Sequence, residues 1–298
     1  MTAKPQKEFD LDYPALYKAA DSASIEAQRT YMRFFRTFLV ALIVAAALSL
    51  FAGFSSWLAI LSALTFVIPL FVSLLLAAKR YDRIWYETRA LAESVKTMTW
   101  RYIMRAKPYD EAQQPLSRSH FVGDLRKILD NTRDVCQHFP QIDGNAEQIS
   151  AGIESVRNAS ISERTEIYRI HRMDEQRSWY TKKAGENRRL ANRWFISMCV
   201  FQLLALISAL IRIAQPTWYL LPTQVFAVVA SAALSWIQVK RFQDLATSYN
   251  LTAQDIGLIK ANLPDVTDEQ TFSDFVENAE SAFSREHTEW LARRNVRK

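Results

Sequence analysis

The sequence contains few of the residues on which catalytic and nucleotide-binding loops depend. It has 6 glycines in 298 residues, and none belongs to a GxGxxG or Walker-type loop that could hold a phosphate group. Its 4 histidines lie far apart along the chain, and no serine, cysteine or threonine occurs in a recognisable nucleophile motif. These absences exclude the common loop-based enzyme motifs, so we expect no enzymatic activity and no cofactor.

Cysteine is equally scarce, with 2 residues in the chain. Cys136 falls in a charged stretch and Cys199 in an apolar one, so a disulfide bond between them is not expected. Cys136 and His138 are close enough in sequence to suggest a pair of metal ligands, but no further ligand stands near them. We therefore expect no metal site.

Charge is absent from four long segments of the chain. Residues 37–54, 57–78, 195–211 and 218–239 contain no Asp, Glu, Lys or Arg, and each is close to the roughly 20 residues that a helix needs to cross a bilayer. No segment shows the alternation of apolar and polar residues that is typical of a strand. The sequence therefore predicts an all-α integral membrane protein. The lack of an intramembrane acid disfavours a coupled transporter.

The four apolar segments form two pairs whose flanking residues match. This repetition predicts two copies of one membrane module, each with a transmembrane helical hairpin, at about 37–78 and about 195–239. The matching flanks, before and after the two pairs, are Arg33-Phe34-Phe35 and Lys79-Arg80-Tyr81 in the first copy, and Arg193-Trp194-Phe195 and Lys240-Arg241-Phe242 in the second.

A stretch that contains Pro140 and Gly144 divides the two modules. The first module is predicted to occupy residues 1–140 and the second residues 145–298, and each combines its hairpin with long cytoplasmic helices that form a helical bundle. Several of these helices are expected to run into the spans without a break. They are the segments 15–36, 79–104, 162–193 and 240–261.

Basic residues flank each hairpin on the side of its termini, whereas the connecting turns carry only Arg212. The positive-inside rule therefore predicts a multi-pass protein of the cell inner membrane with both termini in the cytoplasm. The basic residues indicate topology and contact with anionic lipid, and no nucleic-acid partner is expected. The juxtamembrane basic residues are Arg33, Arg36, Lys79, Arg80, Arg189, Arg193, Lys240 and Arg241.

Small polar residues lie on narrow faces of the predicted spans. They either line a water-accessible path in an oligomer or let helices pack closely and hydrogen-bond across their interface. The two interpretations are compatible, and both stay open. The residues are Ser62, Thr65, Ser73, Ser197, Ser208, Gln224, Ser231, Ser235 and Gln238.

Aromatic and charged residues outside the spans follow two characteristic sets of spacings. The first set is Trp100-Arg101-Tyr102-Ile103, Ala106, Pro108 and Tyr109. The second set is Tyr168, Arg172, Gln176, Trp179-Tyr180, Lys183-Ala184, Asn187, Tyr249, Phe275-Val276, Glu280, Glu286 and Trp290. With these spacings the chain resembles two subtypes, in tandem, of the SLATT family, prokaryotic two-helix membrane effectors associated with SMODS and SLOG domains.

The resemblance implies an effector of a prokaryotic conflict or antiphage system that forms a homo-oligomeric pore or otherwise disrupts the inner membrane. The sequence shows no nucleotidyltransferase, TIR or protease domain, so we expect the trigger to come from a separate sensor or nucleotide-signalling protein. Two alternatives remain, a non-conducting membrane scaffold and a resident channel.

Overall fold

The computed structural model describes residues 11–111, 113–140, 146–263 and 268–295, with backbone only for 284–295. Every regular element in these ranges is helical, which confirms the all-α prediction. In chain order the helices are α1 (Ala15–Leu50), α2 (Ser56–Thr65), α3 (Val67–Lys79), α4 (Tyr81–Ile103), α5 (Gln114–Asn131), α6 (Arg133–Cys136), α7 (Ala151–Arg157), α8 (Ile161–Ile167), a π-helical segment (Tyr168–Asp174), α9 (Glu175–Ala214), α10 (Thr223–Lys240), α11 (Phe242–Ala261) and α12 (Glu269–Asn295).

Four helical stretches within the described residues are long and apolar enough to cross a membrane. They run over Ala15–Leu50, Ser56–Ile103, Ile161–Ala214 and Thr223–Ala261, and each overlaps one of the four charge-free segments of the sequence. Their large apolar side chains stay exposed, as Phe71, Leu203 and Leu210 illustrate. A water-soluble protein would bury such residues, whereas lipid solvates them. The chain is therefore a multi-pass membrane protein.

The chain divides into two compact units, and each takes residues from both halves of the sequence. The polar unit comprises the described residues up to Gln28, Asp82–Trp179 and those from Thr252 onward. The apolar unit comprises Arg29–Tyr81 and Tyr180–Leu251, and it contains the apolar stretches. The predicted module boundary stays a prediction, since residues 141–145 lie outside the described ranges.

Serine side chains cap the amino-terminal ends of two short helices in the polar unit, α7 and α8. The Ser150 hydroxyl accepts a hydrogen bond from the Ile153 amide at 3.3 Å and so caps α7, a helix that the sequence did not predict. Ser160 and Glu163 form a reciprocal capping box at the start of α8. Each cap satisfies backbone donors that the first helical turn leaves without a partner.

The expectation of unbroken helices holds for the helices that lead into the first and third spans, but it fails for those that follow the second and fourth spans. α1 runs without interruption from Ala15 through the first span, and α9 continues from the π-helical segment through the third. After the second and fourth spans, however, the helix stops at a single arginine. Arg80 has φ of 47° and Arg241 has φ of 50°, both left-handed, and a new helix begins at the next residue. The prediction of continuous helices over 79–104 and 240–261 is therefore wrong at these two positions.

Candidate functional site

A buried ion pair joins the π-helical segment to α12 in the polar unit. The Arg172 Nε donates to Glu280 Oε1 at 2.7 Å and its Nη2 donates to Glu280 Oε2 at 2.6 Å. The two side chains are only 2% and 0% exposed. This paired geometry is the strongest form of arginine–carboxylate contact, because two parallel hydrogen bonds accompany the charge attraction.

Further contacts satisfy the remaining polar atoms around this pair. The Tyr168 hydroxyl donates to Glu280 Oε1 at 3.0 Å, and Arg172 Nη1 donates to Gln176 Oε1 at 2.8 Å. The Arg172 guanidinium also lies 5.9 Å from the centre of the Trp100 ring. A π-helical turn is wider than an α-helical one and is frequent at functional positions. We call Tyr168, Arg172, Gln176, Glu280 and Trp100 the arginine–glutamate network.

The surroundings raise the pKa of both Arg172 and Tyr168 in this network. Burial by itself disfavours the charged guanidinium, but the Glu280 carboxylate and its hydrogen bonds outweigh this cost and raise the pKa of Arg172. Burial raises the pKa of Tyr168 well above its ordinary value, so the phenol stays protonated. Arg172 therefore stays charged and Tyr168 stays neutral near pH 7, and their bonds to Glu280 hold the π-helical segment against α12.

Two further buried arginines bind the carboxyl end of α4. Arg157 donates to the carbonyl of Tyr102 and, at 2.9 Å, to that of Tyr109. Arg164 donates to the carbonyl of Met104 at 2.8 Å and also to the Glu269 carboxylate. The regular helical hydrogen bonds stop where a helix ends, and these guanidinium groups supply side-chain donors to the last turn of α4 and to the residues that follow it.

Aromatic side chains surround the first of these arginines. Its guanidinium carbon lies 4.4 Å from the centre of the Tyr102 ring, and the Tyr102 and Phe121 rings stack with their centres 4.5 Å apart. Tyr109 packs edge-on against both rings. The residues Trp100–Tyr109 that resemble the first SLATT subtype thus lie where α4 ends and is anchored.

The residues that resemble the second SLATT subtype lie in more than one place in the structure. Four of them belong to the arginine–glutamate network, and in the apolar unit the Tyr180 and Tyr249 rings lie 5.5 Å apart. Asn187 donates to the carbonyl of Lys183 at 2.8 Å. Glu286 and Trp290 lie outside the residues whose side chains are described.

Two of the nine polar span residues have a hydrogen-bond partner on another helix. The buried Ser62 hydroxyl donates to the carbonyl of Ala45 at 3.2 Å, and the Ser208 and Thr223 hydroxyls lie 2.8 Å apart. This geometry is typical of close helix packing. The assignment of the full set to packing or to a pore stays a prediction. Thr65, Ser73, Ser231 and Ser235 donate to carbonyls of their own helices, Ser197 is half-buried, and Gln224 and Gln238 are exposed.

Two of the predicted juxtamembrane basic residues meet at one indole ring. Trp236 of α10 is buried, and its ring centre lies 5.3 Å from the Arg36 guanidinium carbon and 5.4 Å from Lys240 Nζ. The Phe35 ring stacks on the same indole at 6.4 Å, and the Trp194 ring lies 6.0 Å away. We call these five residues the Trp236 cluster.

The other predicted basic residues are separate from this cluster. Arg80 and Arg241 are the left-handed residues that end α3 and α10, and Arg241 also pairs with Asp244 at 2.8 Å. Arg33, Lys79, Arg189 and Arg193 are exposed. Among the described residues, no three metal-ligating side chains come together.

The fold and these networks define a multi-pass helical membrane protein with a polar unit held by buried arginines. The family model of the SMODS and SLOG-associating 2TM effector domain 3 matches residues 14–165, and that of effector domain 1 matches residues 168–290. The chain belongs to the SLATT family and carries two of its domains in tandem, as the sequence resemblance predicted. No curated protein and no solved structure matches it significantly.

Proposed function

We propose that the protein is a membrane effector of a prokaryotic conflict system, which disrupts the inner membrane by forming a homo-oligomeric pore when a signal reaches its polar unit. The observation that carries this proposal is the tandem match to two effector domains of a family associated with conflict systems, on a chain with four apolar helices of spanning length. The protein acts on the membrane itself and performs no catalysis.

The basic residues support the orientation of this effector. They border the apolar segments on the side of both termini, and by the positive-inside rule this bias supports a cytoplasmic polar unit. A cytoplasmic polar unit is accessible to a nucleotide signal or to a sensor protein. The trigger therefore comes from a soluble partner and not from the outer side of the membrane.

The third span supports self-association. Only 6% of the residues in its most apolar stretch are buried within the chain, against 28% in the fourth span. Most of α9 is thus available to lipid and to further copies of the protein. Packing between copies along this helix would supply the assembly that a pore requires.

The arginine–glutamate network supports a route for the signal. The π-helical segment that carries Arg172 leads directly into α9, and α9 continues through the third span. Glu280 fixes α12 to this segment. A ligand or partner that displaces α12 would therefore act on the start of a helix whose other end lies in the bilayer.

Dye leakage and membrane potential test the proposal. The chain is expressed alone and together with the products of its neighbouring genes, in cells loaded with a potential-sensitive dye. An effector depolarises the cells only when the trigger is present. Depolarisation by the chain alone indicates a resident channel, and no depolarisation under any condition indicates a scaffold. Either of these two results contradicts the proposal.

A further inference from the structure

The Trp236 cluster concentrates positive charge without a negative partner among the described residues. Arg36 and Lys240 both approach the indole of Trp236, and no described carboxylate forms an ion pair with either of them. Arg241, the next residue, does have such a partner in Asp244. Two like charges that approach one ring repel each other.

The position of the cluster indicates which anion would relieve this repulsion. Arg36 immediately precedes the charge-free segment 37–54 and Lys240 immediately follows the segment 218–239. Residues at such boundaries lie at the level of lipid headgroups, where tryptophan is also enriched. A guanidinium group binds phosphate through two hydrogen bonds, and a lysine ammonium adds a point charge.

We propose that Arg36, Lys240 and Trp236 bind the phosphate group of an anionic phospholipid. The guanidinium and the ammonium contact the phosphate oxygens. The indole orients both cations through its electron-rich face, and the acyl chains lie along the exposed apolar surface of the spans. The site does not depend on the proposed pore.

The site is composite, because its residues come from both SLATT domains. Arg36 lies in the match to effector domain 3, whereas Trp236 and Lys240 lie in the match to effector domain 1. A lipid bound here contacts both domains at once. It would therefore hold the first span against the fourth at the membrane surface.

Native mass spectrometry of the full chain in detergent tests this site. The protein is titrated with phosphatidylglycerol or with zwitterionic phosphatidylcholine, and bound lipid is counted. The double variant R36Q/K240Q should bind phosphatidylglycerol about thirtyfold more weakly, because each basic residue near an anionic lipid contributes about fivefold. The matched control R33Q/K79Q removes the same charge from two exposed basic residues outside the cluster, so it measures the nonspecific electrostatic loss and should weaken binding clearly less than R36Q/K240Q does.

A second variant separates binding from folding. Trp236→Phe keeps an aromatic ring for packing but weakens the attraction to both cations, since tryptophan is the best partner for a cation. It should bind phosphatidylglycerol about threefold more weakly than wild type, with an unchanged helix content by circular dichroism.

Inorganic phosphate distinguishes a lipid site from a general phosphate site. Phosphate at millimolar concentration should not displace phosphatidylglycerol, because the free ion lacks the acyl chains. Displacement by phosphate, equal binding of phosphatidylcholine, or equal losses in R33Q/K79Q and R36Q/K240Q would each overturn the proposal. None of these results would alter the proposed effector function.

Discussion

The helices that enter the first and third spans differ from those that leave the second and fourth. α1 and α9 are continuous from the polar unit into the apolar segments, whereas the left-handed residues Arg80 and Arg241 separate α3 from α4 and α10 from α11. The same difference occurs in both SLATT domains. The two connections of each domain therefore differ in structure: one is a continuous helix, which we call a rod, and the other contains a single left-handed residue, which we call a joint.

The joint has a cost that the rod does not have. A non-glycine residue in the left-handed region is disfavoured by roughly 1–2 kcal/mol, because Cβ approaches the following carbonyl oxygen. The amides of Arg80 and Arg241 still donate to the carbonyls of Leu76 and Ile237, four residues back, so each preceding helix keeps its hydrogen bonds up to the joint. Strain that recurs at equivalent positions is a reason to test the joints directly.

The largest expected effect comes from removing the Arg172–Glu280 ion pair, which lies just before α9. Arg172→Met leaves the Glu280 carboxylate buried without its partner, and we expect a loss of about 3–5 kcal/mol in the free energy of unfolding. Thermal unfolding of the purified protein measures it. The double variant R172M/E280L removes both charges and should regain most of the loss. Equal stability of the single and double variants would show that the pair is not desolvated.

A break inside the same rod should have the next largest effect. Arg188 is exposed within α9, and Arg188→Pro removes a helical hydrogen bond at a cost of about 3 kcal/mol. We expect triggered dye leakage to be abolished while membrane insertion persists. Arg188→Gln, which keeps the helix, should leak normally. Full leakage from the proline variant would exclude α9 as the route of the signal.

Glycine substitution should have opposite effects in the joints and in the rods. Arg80→Gly and Arg241→Gly relieve the left-handed strain and should each stabilise the protein by about 1 kcal/mol. Arg33→Gly, within α1, should destabilise it by about the same amount. Midpoints of chemical unfolding in detergent provide the comparison. The same sign at all three positions would contradict the distinction between rod and joint.

The smallest expected effect concerns Lys96, a partly buried lysine in α4, the helix that follows the joint at Arg80. Burial lowers the pKa of Lys96 in α4, so the folded chain binds this proton less readily than the unfolded chain does. The resulting penalty is complete below the folded-state pKa and disappears as pH rises towards the ordinary value of about 10.4. Lys96→Met should therefore raise the melting temperature at pH 7 and reduce its increase between pH 7 and 10. The exposed control Lys127→Met should leave that increase unchanged.

The features that depend on composition were predictable from the sequence. Charge-free runs identify the spans because a charge inside the bilayer is expensive. The family spacings assigned Tyr168, Arg172 and Glu280 to two segments of one subtype, although they did not show that these side chains meet. The uninterrupted α1 also followed from a segment without glycine or proline between Ala15 and Leu50.

The features that depend on tertiary contacts were not predictable. Arg157 and Arg164 were missed because arginine is ordinarily exposed, and only their carbonyl partners at the end of α4 explain their burial. The joint at Arg80 was missed because arginine is not a typical left-handed residue. Its recurrence at Arg241 was the available signal, since both follow a lysine and precede an aromatic residue.

The length of α9 has a geometric consequence. Its 40 residues correspond to about 60 Å of helix, twice the hydrocarbon thickness of about 30 Å. The half of α9 before the span is about 30 Å long. A tilt of this straight segment by about 10° about the point where it enters the span displaces its start at Glu175 by about 5 Å. A spin label or fluorophore near Glu175 would therefore report small reorientations in lipid as displacements large enough to measure.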